Sequence, residues 1–481
     1  MASTWVKIPG GGELRKMSRD HALTERYLEK FRRVLRPVHD TEFIRVFTRG
    51  QYALRPVFLS AEEIHRLTRD LEVLRGALYR LPHVLFDGDI AAFARANGME
   101  KAQIRAVERE SAAVPNSLTG MGRADLFLDR SGFRVMEFNM GSTIGFDGGD
   151  VCRGILADPE FSRFAAEEEL QYVDTVAEQI RTMRQETGCA PDDRPVVALT
   201  EWPSNLEEME GYLTALVRVW KEHGLEAYPC HVGQLERRDG KLWLGDRPVD
   251  VVYRQFMMED LLDDDTDALL EPLLGALEAG EVRMFTSLES ELYGSKASLA
   301  MLSDRAHRQL FSDEELDVID RLLPWTSSVT STGVTPEDGT ESSLLDYAVA
   351  HQHELILKPT LLHGGQGVVP GWSPEVTPEE WRKLLLEALD GPYVLQRRIH
   401  PVPELFPDPD GGTKPWIVNW GVILMASGYG GLLTRCAPAD GDIAVLNLDR
   451  GVLLGSGFHV ASGKHHAQSQ GSTVTAMHPG G

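Results

Sequence analysis

A mixed α/β fold is predicted for this 481-residue chain by three observations. Apolar residues recur at three- and four-residue spacing from about Asp20 to Ala112, the periodicity of amphipathic helices. From Arg194 onward, short strand-like runs alternate with a helical stretch, the pattern that builds a parallel sheet. Between these regions, Arg123 to Asn139 reads as two period-two strands joined by a short turn, and apolar strand-like runs return after Glu354.

The elements follow in order. Residues 1–20 are Gly-rich and charged, and a flexible N-terminus is expected there. Residues 21–112 read as a helical cap: ALTERYLEKFRRVL, SAEEIHRLTRDLEVLRGALYRL, DIAAFARA and EKAQIRAVERESA, with Ser60 ahead of Glu62 and Glu63 as an N-cap signal. The hairpin opens a segment from 113 to 190, in which a glycine-rich turn, Gly141 to Gly149, precedes a helix around 158–187. An α/β unit spans 191–295. In it Pro195-Val-Val-Ala-Leu, EAYPCHV and Val251 to Phe256 read as strands, GYLTALVRVWKEHGL as a helix, and Asp239-Gly240 as the turn of a hairpin. Arg254 falls near the carboxyl end of its strand, where ligands of parallel sheets gather; a ligand contact and a structural ion pair are both open for it. The acidic run EDLLDDDTD at 259–267 reads as a solvated loop or helix cap. Residues 296–460 form a further domain, and the polar stretch 461–481 is expected to be disordered.

The hairpin carries the chemistry. Closing it on Arg130-Ser131-Gly132 pairs Asp129 with Phe133, which brings Asp125 opposite Glu137 and Arg123 opposite Asn139, all on one face. Two facing carboxylates repel unless a cation lies between them. Asp, Glu and Asn are hard oxygen donors of the type that suits Mg²⁺ shared with phosphates, so the segment reads as a metal–phosphate platform. An ordinary solvated polar face stays open on this segment alone, because a one-residue slip would scatter the four groups.

A second constellation lies some two hundred residues later. The run Glu354-Leu-Ile-Leu-Lys358-Pro359 reads as a buried strand, and His363-Gly364-Gly365-Gln366-Gly367-Val368 follows it. Three glycines in four positions give a loop whose backbone N–H groups can approach phosphate oxygens, although a plain turn has the same composition. It is not the GxxxxGK pattern of a P-loop, nor does it open into a helix. Upstream, Lys296 starts the helical stretch KASLAMLSDRAH. Downstream, Pro392-Tyr-Val-Leu-Gln396-Arg-Arg-Ile reads as a strand and a polar turn. Taken singly, Lys296 is compatible with a surface lysine and Gln396 with a satisfied strand-end amide.

In this order the pieces resemble the nucleotide-binding half of ATP-grasp ligases, with the metal motif ahead of that half rather than after it, as in the circularly permuted ATP-grasp fold. The RxD…ExN spacing, with twelve residues from Asp125 to Glu137, is similar to that of the synthetase domain of glutathionylspermidine synthetases. The resemblance covers about residues 115–460 in motif order, and Trp416 to Leu424 and Gly430 to Arg435 are similar to the closing strands of such domains. It implies an ATP-grasp fold with a preATP-grasp-like α/β unit. Asp125, Glu137 and Asn139 would bind Mg²⁺, Arg123 and Arg435 would contact the reacting phosphate, and Lys296, Lys358, the loop His363 to Gly367 and Gln396 would hold ATP. The amidase domain of the bifunctional relatives, with its catalytic cysteine, has no counterpart here.

Composition narrows the classes further. A formal charge of −24 argues against nucleic acid or anionic membrane as the main partner. The four cysteines have no CxxC spacing, which fits a reducing compartment. With no apolar run of membrane-spanning length, a cytoplasmic location is expected. The expected activity is an ATP-dependent carboxylate–amine ligase, ADP-forming, acting through an acylphosphate on a small amino acid or peptide acid and an amine. The alternatives are a phosphotransferase on the same fold and a non-catalytic nucleotide-binding module. Arg254, His363 and the loop at Ser142-Thr143 are the candidates for contacting the substrates.

Overall fold

The computed structural model describes residues 19–461 apart from 20, 39–40, 116, 143–147, 331–342, 390, 442–445 and 447–450. Expectations for residues 1–18 and 462–481, for Thr143 and for most of the Gly141 to Gly149 turn therefore lie outside the described residues.

Among the described residues there are five sheets, and the three with four or more strands organise the chain, with helices packed around them. The large sheet is antiparallel and runs Leu453–Gly455, Gly428–Pro438, Thr413–Met425, Gly122–Asp129, Gly132–Met140, with Glu404–Pro407 also paired to Thr413–Met425. Its central strand comes from late in the chain and its edge hairpin from early in it, so the sheet joins segments nearly three hundred residues apart. The small sheet is also antiparallel and runs Thr326–Ser328, Tyr393–Arg397, Leu355–Pro359, Val369–Pro370. The third sheet is parallel: Arg283–Phe285, Val251–Arg254, Val196–Glu201, Glu226–His231. The expected βαβ unit is there, with helix Leu206–Glu222 between two neighbouring parallel strands.

The N-terminal helices form where their signals stand. Ser60 and Glu63 make a reciprocal capping box at the start of Ala61–Phe86, and Asp89 caps Ile90–Ala96. Helix Ala61–Phe86 contributes Leu71, Leu74, Leu78 and Leu81 to an apolar cluster that also takes in Leu126, Val135, Phe138 and Trp420 of the large sheet. A second cluster packs Trp220 and Tyr253 of the parallel unit against Ile423, Met425 and Leu433. The small sheet has its own core around Trp325, Tyr347 and Trp381.

Several expectations are corrected. The first helix ends at Lys30 rather than continuing to Leu35. The stretch around 158–187 is two helices, Pro159–Glu167 and Thr175–Glu186, separated by a short strand at Leu170–Gln171. Asp174 caps the second of them and so begins it afresh. The hairpin after His231 is a three-stranded meander, although Asp239 and Gly240 do turn it with φ of 51° and 72°. The acidic run at 259–267 is, as expected, exposed from Leu262 to Asp265 and ends at the N-cap of helix Thr266–Glu278, Asp265, while Asp260 and Asp263 also tie it to the fold by accepting from Asn205 Nδ2 at 2.9 Å and Trp202 Nε1 at 2.7 Å. Among the described residues, no helix is long and apolar enough to cross a membrane.

Candidate active site

The acidic hairpin closes one residue tighter than expected. Asp129 pairs with Gly132, and its Oδ1 caps the turn by accepting from the backbone of Ser131 and Gly132. Continued outward, that register would have brought Asp125 opposite Met136. A bulge between Asp125 and Leu126 inserts one extra residue on the opposite strand, and the pairing resumes with Asp125 opposite Glu137 and Arg123 opposite Asn139. The expected pairs are therefore present for a different reason: a shorter turn compensated by a bulge.

Asp125 is buried and heavily hydrogen-bonded. Arg123 donates to both of its oxygens, from Nε at 2.7 Å and Nη2 at 3.0 Å. Asn139 Nδ2 reaches Oδ2 at 3.2 Å, and Arg435 Nη1 reaches the same oxygen at 3.2 Å. Arg435 is aligned by Asn419, its cross-strand partner, whose Oδ1 accepts from Nη1 at 3.1 Å. Gly421 lies directly opposite Asp125 on the central strand, and its missing side chain leaves the space that Arg123 and Asp125 fill.

The lysines arrive from two other elements. Lys296 is the first residue of helix Lys296–Ser303, behind the N-cap Ser295. It is buried, its Nζ lies 3.7 Å from Glu137 Oε2, and it donates to the Leu362 carbonyl at 2.9 Å. Lys358 sits in the small sheet and donates to Gln396 Oε1 at 2.7 Å. Gln396 Nε2 in turn donates to Thr326 Oγ1 at 3.1 Å and to the carbonyl of Met136, at the bulge, at 3.3 Å. Burial would raise the Glu137 carboxyl, but the charges of Lys296 and Lys358 hold it well below the ordinary range. Burial, with help from Lys296, pushes Lys358 down to about 8 against the opposing pull of Glu137. Arg123, Arg435, Lys296 and Lys358 thus surround two carboxylates, Asp125 and Glu137, a local cationic excess in a strongly acidic chain.

The glycine loop joins Leu355–Pro359 to Val369–Pro370, so it is a hairpin loop between paired strands. Gly364, Gly365 and Gly367 have φ of 63°, 79° and 66°, which the glycine run makes accessible. Gly364, Gln366 and Gly367 are exposed at its tip. His363 lies nearer the base, where burial pushes its pKa down among Glu291, Lys296, Glu137 and Arg123. Between the small and large sheets lies a cleft of about 290 Å³, lined by Lys358, Gln396, Ile356 and Trp372 on one side and Met136 and Ile417 on the other.

Of the two readings open for Arg254, the structure shows the structural ion pair. Arg254 is fully buried, pairs with Glu291, and donates to the carbonyls of Thr286 at 2.8 Å, Ser287 at 2.9 Å and Phe256 at 2.5 Å. Those bonds occupy its guanidinium inside the protein. Ser142 Oγ contacts Met257 Sδ at 3.6 Å beside that cluster. Sequence reasoning missed Asn419, Gly421, Thr326 and Trp372. Of these, Gly421 had a readable signal, a lone glycine inside an apolar strand run.

No protein-family model matches the chain, and no curated protein matches it. Solved structures do. A glutathione synthetase-like effector from Globodera pallida, in its apo form, superposes with a TM-score of 0.51 at 12% identity, covering 92% of this chain and 99% of that one. A protein from Methylobacillus flagellatus, provisionally named a γ-glutamylcysteine synthetase, gives a TM-score of 0.41 at 13% identity over 84% of this chain and 89% of its own. The chain therefore has a mixed α/β fold, helices around several sheets, of the kind found in a glutathione synthetase-like protein.

Proposed function

We propose that this chain is an ATP-dependent ligase that joins a small carboxylic acid to an amine through an acylphosphate, releasing ADP and phosphate. The observation that carries the reading is the convergence of Lys296, Lys358, Arg123 and Arg435, from a helix and two sheets, around Glu137 and Asp125 beside the inter-sheet cleft. Four cations about two carboxylates suit polyphosphate and its metal. The likeness in fold to a glutathione synthetase-like protein supports the same class.

On this reading the frame is an ATP-grasp fold in permuted order. The hairpin with Asp125 and Glu137 precedes the lysine-bearing small sheet in sequence, yet it pairs with Thr413–Met425, which follows that sheet. Residues 113–190 and 296–460 would make up the catalytic unit, 191–295 the adjoining α/β unit and 21–112 the helical cap.

Lys358, Lys296 and the loop His363 to Gly367 would hold the phosphates, and Gln396 with the linker after it the base. The donor set fits Mg²⁺. Glu137, Asp125 and Asn139 offer hard oxygens on one face, and such sites need only one or two carboxylates when phosphates supply the rest. Among the described residues no group of three or more His, Cys, Asp or Glu is arranged to hold a metal by itself, so phosphate oxygens would complete the shell. Asp125 is engaged by Arg123 and Arg435, which leaves Glu137 as the principal ligand. Bound there, Mg²⁺ would neutralise charge on the phosphates.

A carboxylate is a poor electrophile, and phosphorylation gives it a leaving group. The residues here would act by positioning and by neutralising developing charge. Arg123 and Arg435 are held by Asp125 and Asn419, which would keep their charge in a fixed position for the reacting phosphoryl group. The Lys296 bond to the Leu362 carbonyl ties the base of the loop to the same site, which would couple loop closure to phosphate contact.

The test is ADP release from Mg·ATP with pooled carboxylic acids, with and without pooled amines. Release that requires both pools and disappears in Glu137→Ala is expected. Release that requires only a hydroxylated acceptor would make the protein a phosphotransferase instead.

A further inference from the structure

Two arginines from the start of the chain converge on one buried carboxylate, and the ligase reading uses none of the three. Arg19 Nη1 donates to Glu404 Oε1 at 3.2 Å, and Arg55 Nη2 donates to Glu404 Oε2 at 2.6 Å. Arg55 and Glu404 are buried, and the Arg19 side chain is 6% exposed. Arg19 also pairs with Glu63, which caps helix Ala61–Phe86, and donates to the Phe58 carbonyl at 2.9 Å. Its guanidinium lies 5.0 Å from the ring centroid of Trp420, and its backbone N–H donates to the Pro403 carbonyl at 3.0 Å. Arg55 adds a bond from Nε to the Leu405 carbonyl at 2.8 Å.

The trio grips the far end of one wall of the cleft. Arg397 to Pro401 line the cleft, and Glu404 follows three residues later. The near end of this linker is fixed by the small sheet, where Arg398 N–H donates to the Glu354 carbonyl at 2.8 Å. The far end is fixed by Val402 N–H on the Leu128 carbonyl at 2.7 Å and by the arginines. Between these anchors, among the described residues, Ile399, His400 and Pro401 make no backbone–backbone hydrogen bond. The prolines at 401 and 403 fix their own φ and disfavour a helical turn at His400 and Val402, so the span is a short stiff strut. A shift of Glu404 is passed to the cleft rather than absorbed on the way.

We propose that Arg19 and Arg55 are positioning residues: through Glu404 they set the course of the linker along the cleft, and so the affinity for the part of the nucleotide beyond its phosphates. The inference rests on the nucleotide-binding reading of the cleft and adds to it a role for the start of the chain. Enclosing three charges costs more than enclosing apolar side chains of the same size, so the trio is a poor device for stability alone. What it supplies is direction. Each guanidinium fork fixes where the carboxylate can sit, and that carboxylate anchors the linker. Lys296 and Lys358 stand on a helix and a strand that the trio does not touch, so the grip on the phosphates is independent of it.

The experiment measures binding of Mg·ATP and of inorganic triphosphate with Mg²⁺ to the full chain by calorimetry, with melting temperatures read alongside. The variants are Arg19→Gln, Glu404→Gln, the two combined, and Arg19→Lys. Either glutamine variant should bind ATP about tenfold more weakly, the lower end of the cost of losing a supporting partner outside a site, with triphosphate affinity unchanged. The combined variant should be little weaker than either single one, because the two side chains act as a unit; additive losses would overturn the route through Glu404. Arg19→Lys keeps the charge and loses the fork, so it should show a smaller loss of the same kind, and it serves where a glutamine variant fails to fold. Wild-type ATP affinity in every folded variant, whatever the melting temperatures, would overturn the positioning role and leave the nucleotide site intact. Equal losses for ATP and triphosphate would overturn it too, since the damage would then be general. No binding of ATP or triphosphate by the wild type would overturn the nucleotide reading and the proposal with it.

Discussion

Gly421 lies directly across the strands from Asp125, and a Cβ at that position would meet the Leu433 carbonyl oxygen at 2.6 Å, Arg123 Cδ at 2.9 Å and Asp125 Oδ1 at 3.2 Å. The central strand of the large sheet thus makes room for the ion pair that anchors the site. Gly421→Ala should cost about 1–3 kcal/mol of stability from overpacking. It should also reduce ADP release by more than its effect on folding explains, because Arg123 is pushed off Asp125. Thermal melts and turnover measured on the same preparation separate the two effects.

Glu137 is the group on which both lysines act. Glu137→Gln keeps the size of the side chain but removes the charge that Lys296 and Lys358 face and one of its two acceptor oxygens. ADP release should fall by about 10²–10³-fold, the scale of losing one charge-stabilising group in a preorganised site. Far-ultraviolet circular dichroism should be unchanged. A variant with full activity would remove Glu137 from the site.

Lys358 sets a pH dependence whose sign can be worked out. Its pKa in the fold is lowered to about 8, whereas in the unfolded chain it returns to about 10.4. Between these values the unfolded chain holds a proton that the fold has released, so stability should rise as pH increases from about 8 to about 10. Phosphate binding needs the ammonium form, so ATP affinity should fall over the same window. Lys358→Met should flatten both curves, as read by chemical denaturation and by calorimetric titration.

The glycine loop should tolerate no side chain without cost. Gly364→Ala and Gly367→Ala each force a residue with a Cβ into positive φ, at about 1–2 kcal/mol. At Gly367 the added Cβ would also come 3.1 Å from Pro359 Cγ. The strain falls on an exposed loop, so KM for ATP should rise severalfold with little change in melting temperature. A large melting-temperature shift with normal KM would mean the loop supports the fold and not the nucleotide.

Arg254 should behave as structure. Arg254→Met leaves Glu291 buried without its partner and should cost about 3–5 kcal/mol. Any soluble remainder should bind ATP with ordinary affinity, measured by calorimetry.

Part of this was legible in the sequence because the chemistry is local. Residue types at fixed spacing brought Arg123, Asp125, Glu137 and Asn139 to one face, whereas Lys296, Lys358 and the glycine loop, each bland alone, were singled out only by the order of motifs that resembles a known family. The correct pairing of Asp125 with Glu137 nevertheless concealed two errors, since neither the tighter Asp129–Gly132 closure nor the compensating bulge has a sequence signature. Arg254 stayed open between two readings for a related reason: a strand-end arginine in sequence does not reveal the three carbonyls and the carboxylate that consume it. Arg19, Arg55 and Glu404 belong to separate segments, and only the fold brings them together.

The central claim is that a carboxylate is activated by phosphorylation and then captured by an amine. The most direct measurement supplies Mg·ATP, pooled amines and pooled carboxylic acids labelled with heavy oxygen, and reads the released inorganic phosphate by mass spectrometry. Reaction through an acylphosphate transfers one labelled oxygen to each phosphate formed, and this is the predicted result. Unlabelled phosphate, or a stable phosphorylated acceptor with no phosphate released, would contradict it.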